Sequence, residues 1–529
     1  MRKAFYVILA FLIGLILRLY PTFLSGLPFS TDAWNPIRNA ELLVKYTPIP
    51  MDDKVFDGYN NYWPANSIFG VIFSYIIGLR VIDAIAISIP LAGALTILIF
   101  YVLIDKISQD SRLAFLGSIL LATAYPYALF TAGITKETYA NPLYLLIILI
   151  FLNHKRWESI IPFIIASIAL NMSHHLTTLI TISVLISIML ATEISRIKKG
   201  FDIDKFSILF VSILLTVTIL YFVLYAYRGL KIIITSSDIL SVISYQIIAF
   251  TLTLYFISRP SSYSKTRTIL SCALGTTLVF LIILLTTWRS IIPGAPKLPN
   301  HYLLYASPFI LITPLIVLGF GVTSGIRDEH RIAPLFWFAT LLGLESYAVF
   351  GNTPLGLTLA YRVLDFLWLP LAIILTFGLY RILITDPRKT SKIIVSLITF
   401  IIILNLYDFY ASVSLQERYL GYFWLYTQPE YDAAKWIAIA NQTITSDVKI
   451  SYLLTGYFNV HADPNQGLQY LMGDTNSVKH ITLFVYNQML KNGYVLYGGY
   501  SIDLPKNWTE KLNSLNLIYC NNQVKIYNK

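Results

Sequence analysis

Apolar residues in this chain come in long blocks separated by short polar stretches, without the alternation of a half-buried strand or the single stripe of a surface helix. A hydrocarbon core about 30 Å thick is crossed by roughly 20 apolar residues in a helix. Blocks of this kind, a few of them short, run over 4–20, 84–104, 113–131, 139–152, 158–172, 176–194, 206–227, 239–257, 269–288, 302–322, 332–350, 356–380 and 393–410. They predict thirteen membrane helices. A further apolar stretch, 67–79, is too short for a comfortable span and reads as a re-entrant or interfacial helix.

Composition points the same way. The chain is 56% apolar and only 13% charged, against roughly 25% charged in ordinary soluble domains, which excludes a simple soluble enzyme and a disordered chain. Its two cysteines, Cys272 and Cys520, cannot build a disulfide framework or a four-cysteine zinc site.

The net charge of +11 would suit nucleic acid, but the placement of the basic residues gives another explanation. With the N-terminus inside, the inner segments hold 19 of the 39 Lys and Arg residues, among them Arg196, Lys198, Lys199, Lys265 and Arg267. The outer loop 21–83 is longer than all of them together and holds four: Arg38, Lys45, Lys54 and Arg80. This is the positive-inside pattern, so no nucleic acid is needed as a partner. Counting 67–79 as a span would destroy the asymmetry. The start, Met1-Arg-Lys, lacks a following small-residue cleavage pattern and reads as the head of a retained first span.

An odd number of spans puts residues 411–529 outside the membrane. The chain therefore divides into a membrane domain, 1–410, and a small α/β extracytoplasmic domain, 411–529. In the tail a helix is expected over 429–441, with strand-like runs at 447–458, 478–486, 494–500 and 515–527; the last is turned by Asn521-Asn522. Glycosylation patterns at Asn441 and Asn507 agree with an outer location.

Ionisable residues gather toward the outer face. Asp32 precedes an amphipathic stretch, 33–46, whose Ile37, Leu42 and Leu43 suit a membrane surface; the carboxylate is either a helix cap or a reactive group. Lys136-Glu137 sits in a very short outer turn, either as a solvated pair or with both groups aimed into a cavity. His174-His175 forms a polar island with Asn171, Ser173 and Thr177, and either ties the turn together or faces a wet cavity. Arg362 and Asp365, three apart on one helix face, are either a self-neutralising pair or a guanidinium that grips a lipid phosphate. Arg18, Arg228, Lys231 and Arg289 add positive charge near the same face.

This arrangement resembles the glycosyltransferase C superfamily, and within it the archaeal relatives of the oligosaccharyltransferase catalytic subunit. The resemblance rests on Asp32 in the first outer loop, the aromatic-Pro entry Tyr62-Trp63-Pro64-Ala65, Glu137 in the next acidic turn, and Glu430-Tyr-Asp-Ala-Ala-Lys-Trp-Ile opening an outer domain. It implies an inverting transferase taking a sugar from a polyprenyl, dolichyl-type, phosphate or diphosphate donor to an extracytoplasmic acceptor that is protein, glycan or lipid. It also implies Asp32 and Glu137 as catalytic residues, or as ligands of a divalent cation (Mg or Mn) if the reaction needs one. The donor phosphate would fall to Lys136, Arg362, His174, His175 and Arg289.

The chain also departs from the family. No Trp-Trp-Asp-Tyr-Gly motif is present, the corresponding region reading Ile450-Ser-Tyr-Leu-Leu-Thr-Gly-Tyr-Phe. The loop 288–301 is short and carries no acid, and a Lys-Glu pair replaces an Asp-rich one. These departures argue against Asn-linked oligosaccharide transfer. The competing classes are a transporter or flippase, and a noncatalytic assembly subunit for lipid-linked or surface glycans; charge concentrated on one side and an outer domain favour the enzyme.

Overall fold

The structure, a computed structural model, describes residues 2–46, 58–153, 156–229, 235–258, 265–290, 296–324, 329–351, 353–385, 390–440, 444–473 and 481–529. Lys54, Lys231, Asn441 and part of the loop 288–301 lie outside them. In chain order the helices are α1 (Arg2–Ser25), α2 (Trp34–Lys45), α3 (Gly58–Asn61), α4 (Ala65–Ile77), α5 (Val81–Ser108), α6 (Ser111–Thr123), α7 (Tyr125–Ala132), α8 (Lys136–Leu152), α9 (Ile160–Ser173), α10 (His175–Lys198), α11 (Lys205–Leu224), α12 (Ser236–Ser258), α13 (Lys265–Trp288), α14 (Ser307–Ser324), α15 (Glu329–Phe350), α16 (Pro354–Thr385) and α17 (Thr390–Val413). The tail adds α18 (Gln428–Ala440), α19 (Val448–Leu453), α20 (Pro464–Met472), α21 (Asn487–Asn492) and five strands.

Every expected span is helical. Ten helices among the described residues are long and apolar enough to cross a membrane, or eleven if the bent pair α6 and α7, which meet at 66°, is one span. Pro126 accounts for the break, since it has no N–H to continue α6, and Asn405 Oδ1 accepts the Tyr125 N–H that the break leaves free, at 2.8 Å. The other two expected spans form shorter helices, with 17 residues in α8 and 14 in α9, and are not among these ten.

By its contacts the chain forms two compact units. One comprises Met1–Leu17, Ala92–Thr131 and Lys136–Phe409; the other comprises Arg18–Leu91, Ala132–Thr135 and Tyr410–Lys529. In the first, helical unit, α8 packs on α9 and α10, α10 on α15, α15 on α16, and α16 on α14 and α6. Its core includes an edge-to-face aromatic group, with Tyr144 at 5.8 Å from Trp337 and 5.4 Å from Phe366. At the α14–α16 crossing Gly319 and Gly378 face the opposing backbone: an added Cβ would collide with the carbonyl oxygens of Ile374 and Leu315, respectively. Small residues let membrane helices approach this closely.

The second unit joins the first long loop to the tail in one core, in which Leu27 and Trp34 pack with Tyr426, Ile437, Ile450, Leu483 and Ile526. Trp34 is fully buried against Tyr426, Tyr431 and Tyr457. Helix α2 packs on α4 and on the turn Leu454–Phe458, and Ile37 is buried. Of the apolar residues in the amphipathic stretch 33–46, Ile37 is thus taken up by protein, while Leu42 and Leu43 are half-buried.

The tail's sheet has the order β1 (Thr482–Tyr486), β5 (Val524–Asn528), β4 (Asn516–Cys520), all antiparallel, beside a β2 (Tyr494–Leu496) and β3 (Tyr500–Ile502) hairpin. The Asn521-Asn522 turn forms as expected, with Asn522 at φ 69°. The expected strand 447–458 does not. Asp447 instead caps α19 by accepting the Ile450 N–H, and Ile450, Leu453 and Leu454 bury one helical face.

Candidate active site

Helix α8 opens directly after the turn 132–135, and its first two residues, Lys136 and Glu137, are 9% and 3% exposed. They are therefore not a solvated surface pair. The first turn of a helix favours a carboxylate, because its free N–H groups carry partial positive charge. Glu137 also has a full cation: Arg362 Nη1, from α16, donates to Glu137 Oε1 at 2.8 Å.

One turn farther along α8, Asn141 Nδ2 donates to Asp365 Oδ2, one turn farther along α16, at 3.2 Å. An i,i+4 pair on α8 and an i,i+3 pair on α16 thus form two rungs between the helices. Spacing alone suggests Asp365 as the counter-charge of Arg362; the fold supplies Glu137.

His174 stands at the break between α9 and α10. Its Nδ1 accepts the Thr177 backbone N–H at 3.3 Å and lies 2.9 Å from the Thr177 hydroxyl, capping α10. A ring nitrogen that accepts an N–H has no proton of its own, so the neutral ring carries its proton on Nε2. That nitrogen faces Glu137 Oε1 at 3.5 Å. His174 therefore both ties the turn and points a donor at the buried carboxylate. His175 is half-buried with its ring 5.0 Å from that of His174, and Lys136 and Arg362 act electrostatically on both rings.

The cluster is graded in depth. Glu137 and His174 are at its buried end, while the Arg362 side chain is 25% exposed and lies beside the exposed Tyr361 ring, with Nε 3.2 Å from the Tyr361 hydroxyl. A guanidinium held from behind by a carboxylate keeps its remaining N–H groups oriented for an incoming anion.

Arg289 does not join this group. It follows the end of α13 and is exposed, and among the described residues it makes no side-chain bond to the cluster. Arg228 is likewise exposed and donates to its neighbour Tyr227.

Asp32 lies in the second unit, in the 3-10 turn Thr31–Ala33. It is exposed within a run, 27–34, that is otherwise buried. It does not cap α2, whose N-cap position is Ala33; Ser30 is the cap of this turn, its hydroxyl accepting the Asp32 N–H at 3.2 Å. No described residue bonds the Asp32 carboxylate. Sequence reasoning missed two contributors, Asn141 and Ser30. Asn141 is readable in hindsight as the i+4 partner of Glu137, but nothing in the sequence marks Ser30.

No protein-family model and no curated protein matches the chain. Solved structures do. The archaeal oligosaccharyltransferase AglB from Archaeoglobus fulgidus, in complex with an inhibitory peptide and a dolichol-phosphate, superposes with a TM-score of 0.56 at 13% identity, over 93% of this chain and 70% of that one. The apo form of the A. fulgidus enzyme gives 0.56 at 14% identity over 92% and 70%. The fold is that of AglB. A third structure of that enzyme, with Zn and sulfate, gives 0.52 at 13% identity over 92% of this chain and 68% of that one.

The zinc in that AglB structure raises the question of a cation held through Glu137. The donor set here does not suit one. Glu137 Oε1 already faces a guanidinium and an imidazole N–H, groups that repel a cation, and no three His, Cys, Asp or Glu side chains gather as ligands among the described residues.

Proposed function

We propose that the protein is a membrane glycosyltransferase that moves a sugar from a polyprenyl phosphate or diphosphate to an extracytoplasmic acceptor. The observation that carries the reading is the Glu137–Arg362–His174 cluster, a buried carboxylate presenting a partly open guanidinium, in a chain with the AglB fold. The positive-inside pattern supports an outer location for the tail.

In the proposed reaction Asp32 takes the proton of an acceptor hydroxyl as its oxygen attacks the anomeric carbon. The bond from that carbon to the phosphate oxygen breaks, and the phosphate leaves with the electron pair. A single displacement of this kind inverts the anomeric centre. Arg362 and Lys136 stabilise the charge that builds on the leaving phosphate. Glu137 holds Arg362 in place, and His174 completes the donors around Glu137. The role of base falls to Asp32, which is exposed and whose carboxylate no described residue bonds, because the Glu137 carboxylate is already engaged.

The test is release of free polyprenyl phosphate or diphosphate from a lipid-linked sugar pool by the purified protein, compared with Asp32→Asn. Asp32-dependent release supports the transferase. Donor that binds without release, with candidate acceptors present, refutes it and favours a transporter or assembly subunit.

A further inference from the structure

Five described residues other than glycine have positive φ. Four of them, Gln109, Gln416, Asn459 and Asn522, lie between 53° and 69°, in the small left-handed region open to L-residues. Ser30 does not. Its φ of 106° and ψ of 142° place it near a region that is essentially reserved for glycine, and it is 1% exposed.

A buried serine in a glycine conformation is a local cost that the surroundings must hold in place. Three contacts, all within the second unit, do so. The Ser30 N–H donates to the Trp424 carbonyl at 3.0 Å, and the Phe29 carbonyl accepts the Ile134 N–H at 2.8 Å. The Phe29 ring also meets the Trp424 ring edge-on at 5.8 Å. The Phe29–Ser30 peptide is thus pinned from both sides, by the tail and by the turn 132–135. The Ser30 hydroxyl then accepts the Asp32 N–H, which sets the direction in which the turn Thr31–Ala33 leaves this anchor. Asp32 is the one exposed side chain that the turn presents, since Thr31, Ala33 and Trp34 are all buried.

Glycine would adopt this backbone without strain, but it would supply no hydroxyl. The serine therefore has a use that outweighs its conformational cost, and the hydrogen bond to the Asp32 N–H is the use on view. We infer that Ser30 is a positioning residue: its strained backbone, clamped by Trp424 and Ile134, fixes the direction of the Asp32 carboxylate. The inference rests on the role of Asp32 proposed above, and it makes the tail a working part of the acceptor side of the reaction.

The experiment compares wild type with Ser30→Gly and Ser30→Ala. Ser30→Gly removes both the strain and the hydroxyl, so its unfolding midpoint should be at or above that of wild type while kcat falls roughly 10- to 100-fold at unchanged KM, as small misplacements of a reacting group do. Ser30→Ala keeps the strain and loses the hydroxyl, and should lower both the midpoint and kcat. A purely structural residue would instead give parallel changes in stability and activity. Ser30→Gly with wild-type kcat, or with a midpoint lowered alongside kcat, overturns the proposal.

A readout independent of turnover uses a nitroxide on Asp32→Cys in a Cys272→Ser, Cys520→Ser background. Adding Ser30→Gly should raise the label's mobility; equal mobility overturns the positioning role. The label answers even if the wild type releases no polyprenyl phosphate, a result that would overturn the transferase reading instead.

Discussion

Replacing Arg362 and Glu137 singly and together separates what their pair does for the fold from what it does for chemistry. Arg362→Met leaves Glu137, whose side chain is 4% exposed, as a buried carboxylate without its guanidinium. Breaking a buried pair from one side costs about 3–5 kcal/mol. The lower end applies here, because Arg362 is itself 25% exposed and Lys136 and the His174 N–H remain close. Glu137→Gln should cost less, on the order of 1 kcal/mol, since the partly open guanidinium it strands can reach water. The double variant removes both charges and should recover stability to within about 1 kcal/mol of wild type. Activity should not follow. If Arg362 stabilises the leaving phosphate, Arg362→Met and the double variant should both lose roughly 100- to 1000-fold in kcat, while Glu137→Gln keeps a measurable rate. The assays are thermal unfolding in detergent or nanodiscs and release of polyprenyl phosphate. A double variant that turns over like wild type would remove Arg362 from the chemistry. An unchanged unfolding midpoint for Arg362→Met would show that the pair does not hold α8 to α16.

Three further outcomes are expected. Turnover should survive EDTA, because Glu137 is engaged by Arg362 and is not free to hold a cation; loss in EDTA with rescue by Mg or Mn would contradict this. Asp447 is fully buried in the tail, accepting from the Tyr486 hydroxyl and from the Ile450 and Val495 N–H groups, and burial raises its carboxyl from 3.8 to about 6. A raised carboxyl stabilises the fold in its protonated form, so the contribution is complete below about pH 3.8 and is lost as pH rises through about 6, at up to about 1.4 kcal/mol per pH unit. Asp447→Asn should flatten that part of the unfolding profile, and an unchanged slope would contradict the assignment. Gly378→Ala puts a methyl against the Leu315 carbonyl and should lower the unfolding midpoint; an unaffected variant would mean that α14 and α16 do not cross this closely.

Much of the site was visible in the sequence as residues and little of it as partnerships. Lys136, Glu137, His174 and Arg362 stand out because ionisable groups are rare in apolar sequence. That Arg362 meets Glu137 is a contact between residues 225 apart, and no local spacing encodes it. Arg289 was drawn into the same group by its charge and approximate depth, and the fold leaves it outside. The run 447–458 shows the same limit in the tail. Its alternation of Val448 and Ile450 with polar neighbours suits a strand, and the Asp447 cap with the burial of Leu453 and Leu454 decides for a helix.

The sequence by itself determined that this is a helical membrane protein with a mixed tail, and roughly where its long apolar helices lie. Those properties follow from the length of each apolar block and from its own caps and prolines, so they need no knowledge of any other segment. Tertiary structure decided the rest: the partner of Arg362, the ring nitrogen of His174 that carries the proton, the backbone of Ser30, and the core that Leu27 and Trp34 share with the tail. Each of these depends on a group brought in from a distant part of the chain, and only packing sets that distance.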